Sequence, residues 1–417
     1  MSVINYIVGL GTSVMMPIIF LFLGIIFGVK IGKSFKAALY VGIGFEGLNL
    51  VINLLLDNLG PVVTSMTNNL GVKLEVLDAG WPVASTVGWG SPIMVIGFIS
   101  LLVVNFIMLV FKLTNTVDID IFNYWLYLCI DAIIYAVTGS VAISIGIMVV
   151  LFAICLKVAD LTAGKVSKEF GCEGISFPHV SALPWIVFTM AVDWFFEKIP
   201  FLRKIEVNPE KITKKFGVLG ESTVIGFILG AAIGLLAKCD IGNILALAVK
   251  VSAAMVLLPR MVGILLEGLN VIKDAVELKL KQKFPNRKFY IGMDVAILAA
   301  NPSVIATGLL MIPITLLLAI VLPYNKVLPF VDLSSLLFLF TVGAAYCKKD
   351  ILRMLVAGIF MMAFALFAAT NLADVYSQAA VSSHATFPAG MDIMSSLNVP
   401  FVNPVGWVSI KIAQLFA

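Results

Sequence analysis

Charge is what this chain has least of: 12% of its 417 residues are Asp, Glu, Lys or Arg, while 61% are hydrophobic. A water-soluble domain usually carries about a quarter charged residues, so a wholly aqueous surface is excluded. Histidine is nearly absent, His179 and His384 being the two copies, and the five cysteines are scattered without metal-ligand spacing. Neither a metal centre nor a cofactor is expected from them. No GxxxxGK[ST] run is present, and no polar stretch is long enough for an ATPase domain, which excludes a nucleotide-driven pump. The nucleophile, base and orienter of a membrane enzyme are also missing, so no catalytic residue is assigned. Nor is there a dense basic patch interleaved with aromatics, as nucleic-acid binding would require. No charge precedes Lys30, so the first apolar run is expected to stay in the mature chain as a span.

What remains is apolar and long. A mean hydropathy of +1.07 and successive apolar runs define an all-α polytopic membrane protein in contact with a lipid bilayer, with about 10–12 transmembrane elements. Runs at 4–27, 37–56, 93–111, 121–156, 217–237, 244–266, 303–322, 328–346 and 351–370 are the main candidates. The mixed stretch 58–76 is expected at the surface. A Ser/Ala/Gly-rich polar stretch is expected at 374–396, and an interfacial or re-entrant piece at 401–417.

One four-residue string occurs twice. Glu46-Gly47-Leu48-Asn49 returns as Glu267-Gly268-Leu269-Asn270, and its neighbours return in the same order: Ile31-Gly32 as Ile241-Gly242, and Ser91-Pro92 as Asn301-Pro302. Matches in series at nearly one spacing predict two related halves. Basic loops at 30–36, 198–216 and 273–288 belong on the cytoplasmic side, which puts the N-terminus outside and makes the halves cross in opposite senses. The expected architecture is therefore an inverted-topology repeat with re-entrant or broken segments. Its parts are 1–76 (first scaffold helices), 77–197 (first half of a substrate-bearing core), 198–216 (basic linker), 217–290 (second scaffold helices) and 291–417 (second half of the core).

The broken segments are the best site candidates. Asp78 opens the first, which continues through Trp81, Pro82, Ser85, Thr86, Gly88, Gly90, Ser91 and Pro92; Asp294 opens the second, which leads to Asn301-Pro302. Proline and irregular backbone leave peptide groups that hydrocarbon cannot satisfy, so such stretches belong where they line a polar cavity. Ser85, Thr86, Ser91 and Asn301 offer neutral hydrogen bonds to hydroxyls, and Trp81 offers a flat apolar face to the C–H side of a polyol. Asp78 and Asp294 either cap the following half-helices or accept bonds from substrate. Glu46 and Glu267, each three residues before an asparagine, contact substrate, fasten helices or couple to protons. His179 lines the route or starts a helix.

The runs Asp78-Ala79-Gly80-Trp81-Pro82, Gly174-Ile175-Ser176-Phe177-Pro178-His179, Leu258-Pro259-Arg260 and Ile291-Gly292-Met293-Asp294-Val295-Ala296 resemble those of the galactitol-specific membrane component of the phosphoenolpyruvate-dependent sugar phosphotransferase system. The likeness extends over almost the whole chain. It implies a permease that admits an external polyol and presents it for phosphorylation by a separate IIB subunit carrying a phosphocysteine, itself charged by a IIA subunit. Likeness to the related ascorbate permease implies a homodimer and an elevator-type transporter. The competing expectations are a proton-coupled transporter of the same fold moving an unmodified solute, and a passive channel.

Overall fold

A computed structural model describes residues 12–70, 74–216, 221–283, 287–385, 387 and 393–417. The first residues, on which the outside placement of the N-terminus rests, lie outside these. In the first part of the chain α1 (Thr12–Ile26) and α2 (Ile31–Leu70) lead to the short strand β1 (Val76–Asp78). Next come α3 (Gly80–Gly90), α4 (Met94–Val110), β2 (Thr116–Asp118), a 3₁₀ turn (Ile121–Tyr124), α5 (Trp125–Thr138), α6 (Val141–Phe170), β3 (Ile175–Ser176) and α7 (Ile186–Lys198). A linker containing α8 (Pro209–Phe216) follows.

The same order then recurs: α9 (Ser222–Leu236), α10 (Ile241–Lys283), β4 (Tyr290–Gly292), α11 (Ala296–Ala299), α12 (Pro302–Val321) and β5 (Val327–Leu328). A 3₁₀ segment (Val331–Phe340) runs into a helical turn, and α13 (Ile351–Ser382), β6 (Met394–Ser395) and α14 (Pro404–Ala413) close the chain. Six helices among the described residues are long and apolar enough to cross a membrane, or seven if α3 and α4, bent by 92° across Ser91–Ile93, form one broken span. Three further apolar helical pieces are shorter, including Val331–Ala344, where the sequence suggested a full crossing.

Two stretches to which the sequence assigned no element contain helix. The stretch 58–76 is largely helical, because α2 continues without interruption to Leu70 through Pro61. At 1.5 Å per residue its 40 residues reach about 60 Å, twice the hydrocarbon thickness. The Ser/Ala/Gly-rich stretch at 374–396 is helical as far as Ser382, since its alanines favour helix and its serines return their hydroxyls to the backbone, as Ser382 does to the Gln378 carbonyl.

Helix ends are written in local chemistry. Gly139 ends α5 with φ +64°, in the left-handed region that suits glycine, and the Ser140 hydroxyl accepts from Ile143 N to start α6. Asn301 before Pro302 and Asn403 before Pro404 are matching asparagine–proline starts for α12 and α14.

Among the described residues six short strands form two parallel three-stranded sheets, which the sequence reading did not anticipate. β1 lies between β5 and β6, while β4 lies between β2 and β3. Each sheet thus takes its middle strand from one part of the chain and both flanking strands from the other. Strands of two or three residues carry no period-2 signal, and their partners are more than 100 residues distant in sequence.

α2 and α10 pack together through the repeated string itself. A Cβ at Gly268 would stand 2.3 Å from the Ala37 carbonyl oxygen, and one at Gly47 would meet the Met261 sulfur at 2.2 Å. Glycine here is a condition of close helix approach. Gly268→Ala is expected to lower stability by about 1–3 kcal/mol through overpacking. Gly146→Ala, where no atom lies within 4 Å of the added carbon, should leave the melting temperature unchanged or raised; thermal unfolding in detergent compares the two.

Candidate functional site

Inside a bilayer an interrupted helix exposes peptide groups, and the two small sheets pair many of those groups. Their carboxyl ends face one cleft. From the β4-centred sheet, the chain beyond β2 supplies Phe122 and Asn123, that beyond β4 supplies Asp294 and Ala296, and that beyond β3 supplies His179 and Ser181. From the β1-centred sheet come Trp81 beyond β1, Phe338 beyond β5 and Asn398 beyond β6. Asn49, Ile52 and Asn53 of α2 complete the wall. The carboxyl edge of parallel strands is a recurrent place for ligands.

The cleft holds about 150 Å³. One water-sized group needs about 10–15 Å³ on this scale, so the space suits roughly ten such groups, the size of a small sugar. Four asparagines, a serine, one histidine and one aspartate provide polar contacts. Trp81 and Trp125, with ring centroids 6.3 Å apart, provide an apolar face. Mixed donors and acceptors beside aromatic rings match a solute with several hydroxyls on a C–H framework.

Ionisable side chains are gathered at the β4-centred end. Asp294 Oδ1 accepts from the Ala296 amide at 2.8 Å, starting α11. His179 Nδ1 is 2.9 Å from Ser181 Oγ, and burial lowers its pKa to about 4 although Asp294 pulls the other way. Asp120 stands behind this edge; its Oδ2 accepts from Asn123 Nδ2 at 2.8 Å. Burial first, then Asp294 and Asp118, push the Asp120 carboxyl well above the usual range. Asp118 is raised to about 7 by burial. Burial thus favours the uncharged forms of His179, Asp118 and Asp120, as a water-poor pocket does.

Of the residues singled out from sequence, Trp81, His179 and Asp294 come together here. Asp78 is fully buried outside the lining, its carboxylate accepting the amides of Gly80 at 3.1 Å, Phe330 at 3.0 Å and Asp332 at 2.9 Å. Ser85 and Thr86 lie on α3 outside the lining, Thr86 returning its hydroxyl to the Pro82 carbonyl. Ser91 turns the chain between α3 and α4 by accepting from Ile93 N. Asn301 caps α12 and lines a separate polar depression beside Lys348 and Lys349. Glu46 and Glu267 are exposed on α2 and α10, outside the cleft, and His384 is exposed after α13. Asp131 pairs with Ser144, and Asp193 with the buried Arg353. Sequence reasoning passed over Asn53, Asn123 and Asn398. Asn49 and Asn53, one helical turn apart in an apolar helix, gave a usable signal; Asn123 and Asn398 gave none.

A helical membrane chain with a sugar-sized polar cleft between two broken segments belongs to the class of polytopic solute permeases. Comparison with known proteins makes this specific. The family EIIC-GAT, described as PTS system sugar-specific permease component, matches residues 6–390, and the chain belongs to it. It is 35% identical over 411 residues to the PTS system galactitol-specific EIIC component of Escherichia coli K12, covering 99% of this chain and 90% of that protein. It is also 36% identical over 413 residues to a putative permease IIC component of the same strain, covering 99% and 94%. Components of this family work with IIA and IIB subunits on a sugar substrate.

The His179 shift gives a test by pH. Its folded pKa lies below the unfolded value of 6.5, so above pH 6.5 both states are neutral and nothing is lost. As pH falls from 6.5 to about 4 the unfolded chain takes up a proton that the folded one refuses, and stability declines. Thermal unfolding should show wild type losing more stability than His179→Gln over that window and running parallel to it above pH 7.

Proposed function

We propose that the chain carries galactitol, or a closely similar polyol, across the bacterial cytoplasmic membrane and presents it to a IIB subunit whose phosphocysteine phosphorylates it. The observation that carries this reading is the cleft: hydroxyl-binding side chains and a tryptophan face, walled by both parts of the chain, in a relative of a galactitol-specific component. Asp294 accepts a hydroxyl hydrogen, and neutral His179 helps to orient the hydroxyl that receives the phosphoryl group. Transfer then depends on alignment more than on a covalent group from this chain. The thiols of Cys172 and Cys347 suit no carrier role: burial pushes them up to about 12, far from thiolate chemistry.

The recurring element order supports an inverted-topology repeat, with α1–α2 and α9–α10 as the scaffold of a homodimer and the segments around the sheets as the part that moves, elevator fashion, between two faces. In that arrangement the N-terminus lies outside, and the loops at 30–36 and 198–216 share the cytoplasmic side. The exposed apolar face of α2, including Phe35, Leu39 and Ile43, suits contact with lipid or a second copy.

Proteoliposomes test this directly. Radiolabelled galactitol should appear inside as its phosphate only when phosphorylated IIB is enclosed; accumulation of unmodified galactitol driven by a proton gradient overturns the reading. Asp294→Asn, which replaces an accepting carboxyl oxygen with an amide donor at a cost of about 1.5–3 kcal/mol, should lower kcat/KM about ten- to hundredfold.

A further inference from the structure

Asn398 lies on the cleft wall, three residues beyond β6. Its side-chain nitrogen donates to Ser335, at 3.1 Å to the carbonyl oxygen and 3.0 Å to the hydroxyl. A carbonyl oxygen only accepts, so it fixes which end of the amide is nitrogen. The other end, Oδ1, is a pure acceptor left to the cleft side.

Behind the wall Asp332 holds this arrangement. It is fully buried and absent from the lining. One oxygen accepts the Trp81 amide at 2.9 Å and the Ser335 hydroxyl at 3.3 Å. The other accepts the Leu397 and Asn398 amides, each at 2.8 Å, and the Ser396 hydroxyl. One carboxylate thus ties together the entry to α3, the 3₁₀ segment after β5 and the loop after β6, which meet at the cleft from distant parts of the sequence.

We infer that Asn398 is a specificity residue that accepts a hydrogen bond from one substrate hydroxyl through Oδ1, and that Asp332 is the positioning residue that aims it while also seating Trp81 on the cleft wall. The inference rests on the cleft being the substrate site. It selects for hydroxyl donors: a carbonyl or ether at the same position would face the Asn398 oxygen with nothing to give. Asp332 acts through the backbone of Trp81 and Asn398, so its effect is on binding.

The test uses the full-length chain in proteoliposomes with phosphorylated IIB. Asn398→Ala should raise KM for galactitol about tenfold with kcat changed less than twofold. Across a set of monodeoxy galactitols, one analogue should be transported equally by wild type and Asn398→Ala, because the hydroxyl read by Asn398 is already gone. Equal penalties on every analogue, or an unchanged KM, overturn the assignment of Asn398. Asp332→Asn should raise KM at least tenfold and add little in an Asn398→Ala background, while hydrogen exchange at the amides of Trp81, Leu397 and Asn398 quickens. Ser396→Ala withdraws a single donor and serves if Asp332→Asn does not fold: its KM should rise about threefold, and an unchanged KM with unchanged exchange overturns the role of Asp332. Should wild type show no saturable galactitol uptake, the substrate reading fails on its own, and the exchange measurement still decides whether Asp332 holds the loop.

Discussion

The governing constraint is that a chain in hydrocarbon cannot leave peptide groups unpaired, yet a polar cleft requires its helices to break. Two devices reconcile these demands. Short parallel strands pair the backbone where helix is interrupted, and buried aspartates collect amides that the strands cannot reach: Asp78 takes three, and Asp332 takes three more and the hydroxyls of Ser335 and Ser396. Aspartate suits this task because each of its oxygens can accept more than one bond. The irregular backbone is thereby held in fixed geometry, and the side chains that follow each strand arrive at the cleft with little freedom left to lose.

The two ends of the cleft are built alike and furnished differently. His179 and Asn398 each stand three residues beyond a flanking strand, β3 in one sheet and β6 in the other. One end carries ionisable groups, Asp294 and His179 with Asp120 behind; the other carries Asn398 and the Trp81 ring. Two similarly built edges thus form a polar-ionic pole and a neutral-aromatic pole. A polyol, whose own ends are nearly equivalent, acquires a direction only by binding between unlike walls.

Composition made the membrane class legible, and the broken segments announced themselves through Pro82, Gly88, Gly90 and Pro92, because few other uses for such residues exist in an apolar run. His179 and Asp294 stood out for the same reason. The repeated Glu-Gly-Leu-Asn string was informative in a different way than its charge suggested: Gly47 and Gly268 make the close contacts between α2 and α10, whereas Glu46 and Glu267 point away from the cleft. Strand pairing was invisible, since Val76 finds Val327 and Thr116 finds Tyr290 with no local pattern to mark it. Asn398 was equally silent, because its role depends on Asp332 and Ser335, which only the fold brings near.

The exchange of strands between the two sheets bears on how the molecule is made. β1 emerges early in synthesis, but both of its neighbours, β5 and β6, are translated after residue 320. Helices can enter the bilayer one after another, whereas the centre has to wait with open strand edges until the ribosome has nearly finished. Assembly is consequently late and all at once: neither part alone can reach its final form, and the vulnerable interval for quality-control proteases coincides with translation of the last quarter of the chain.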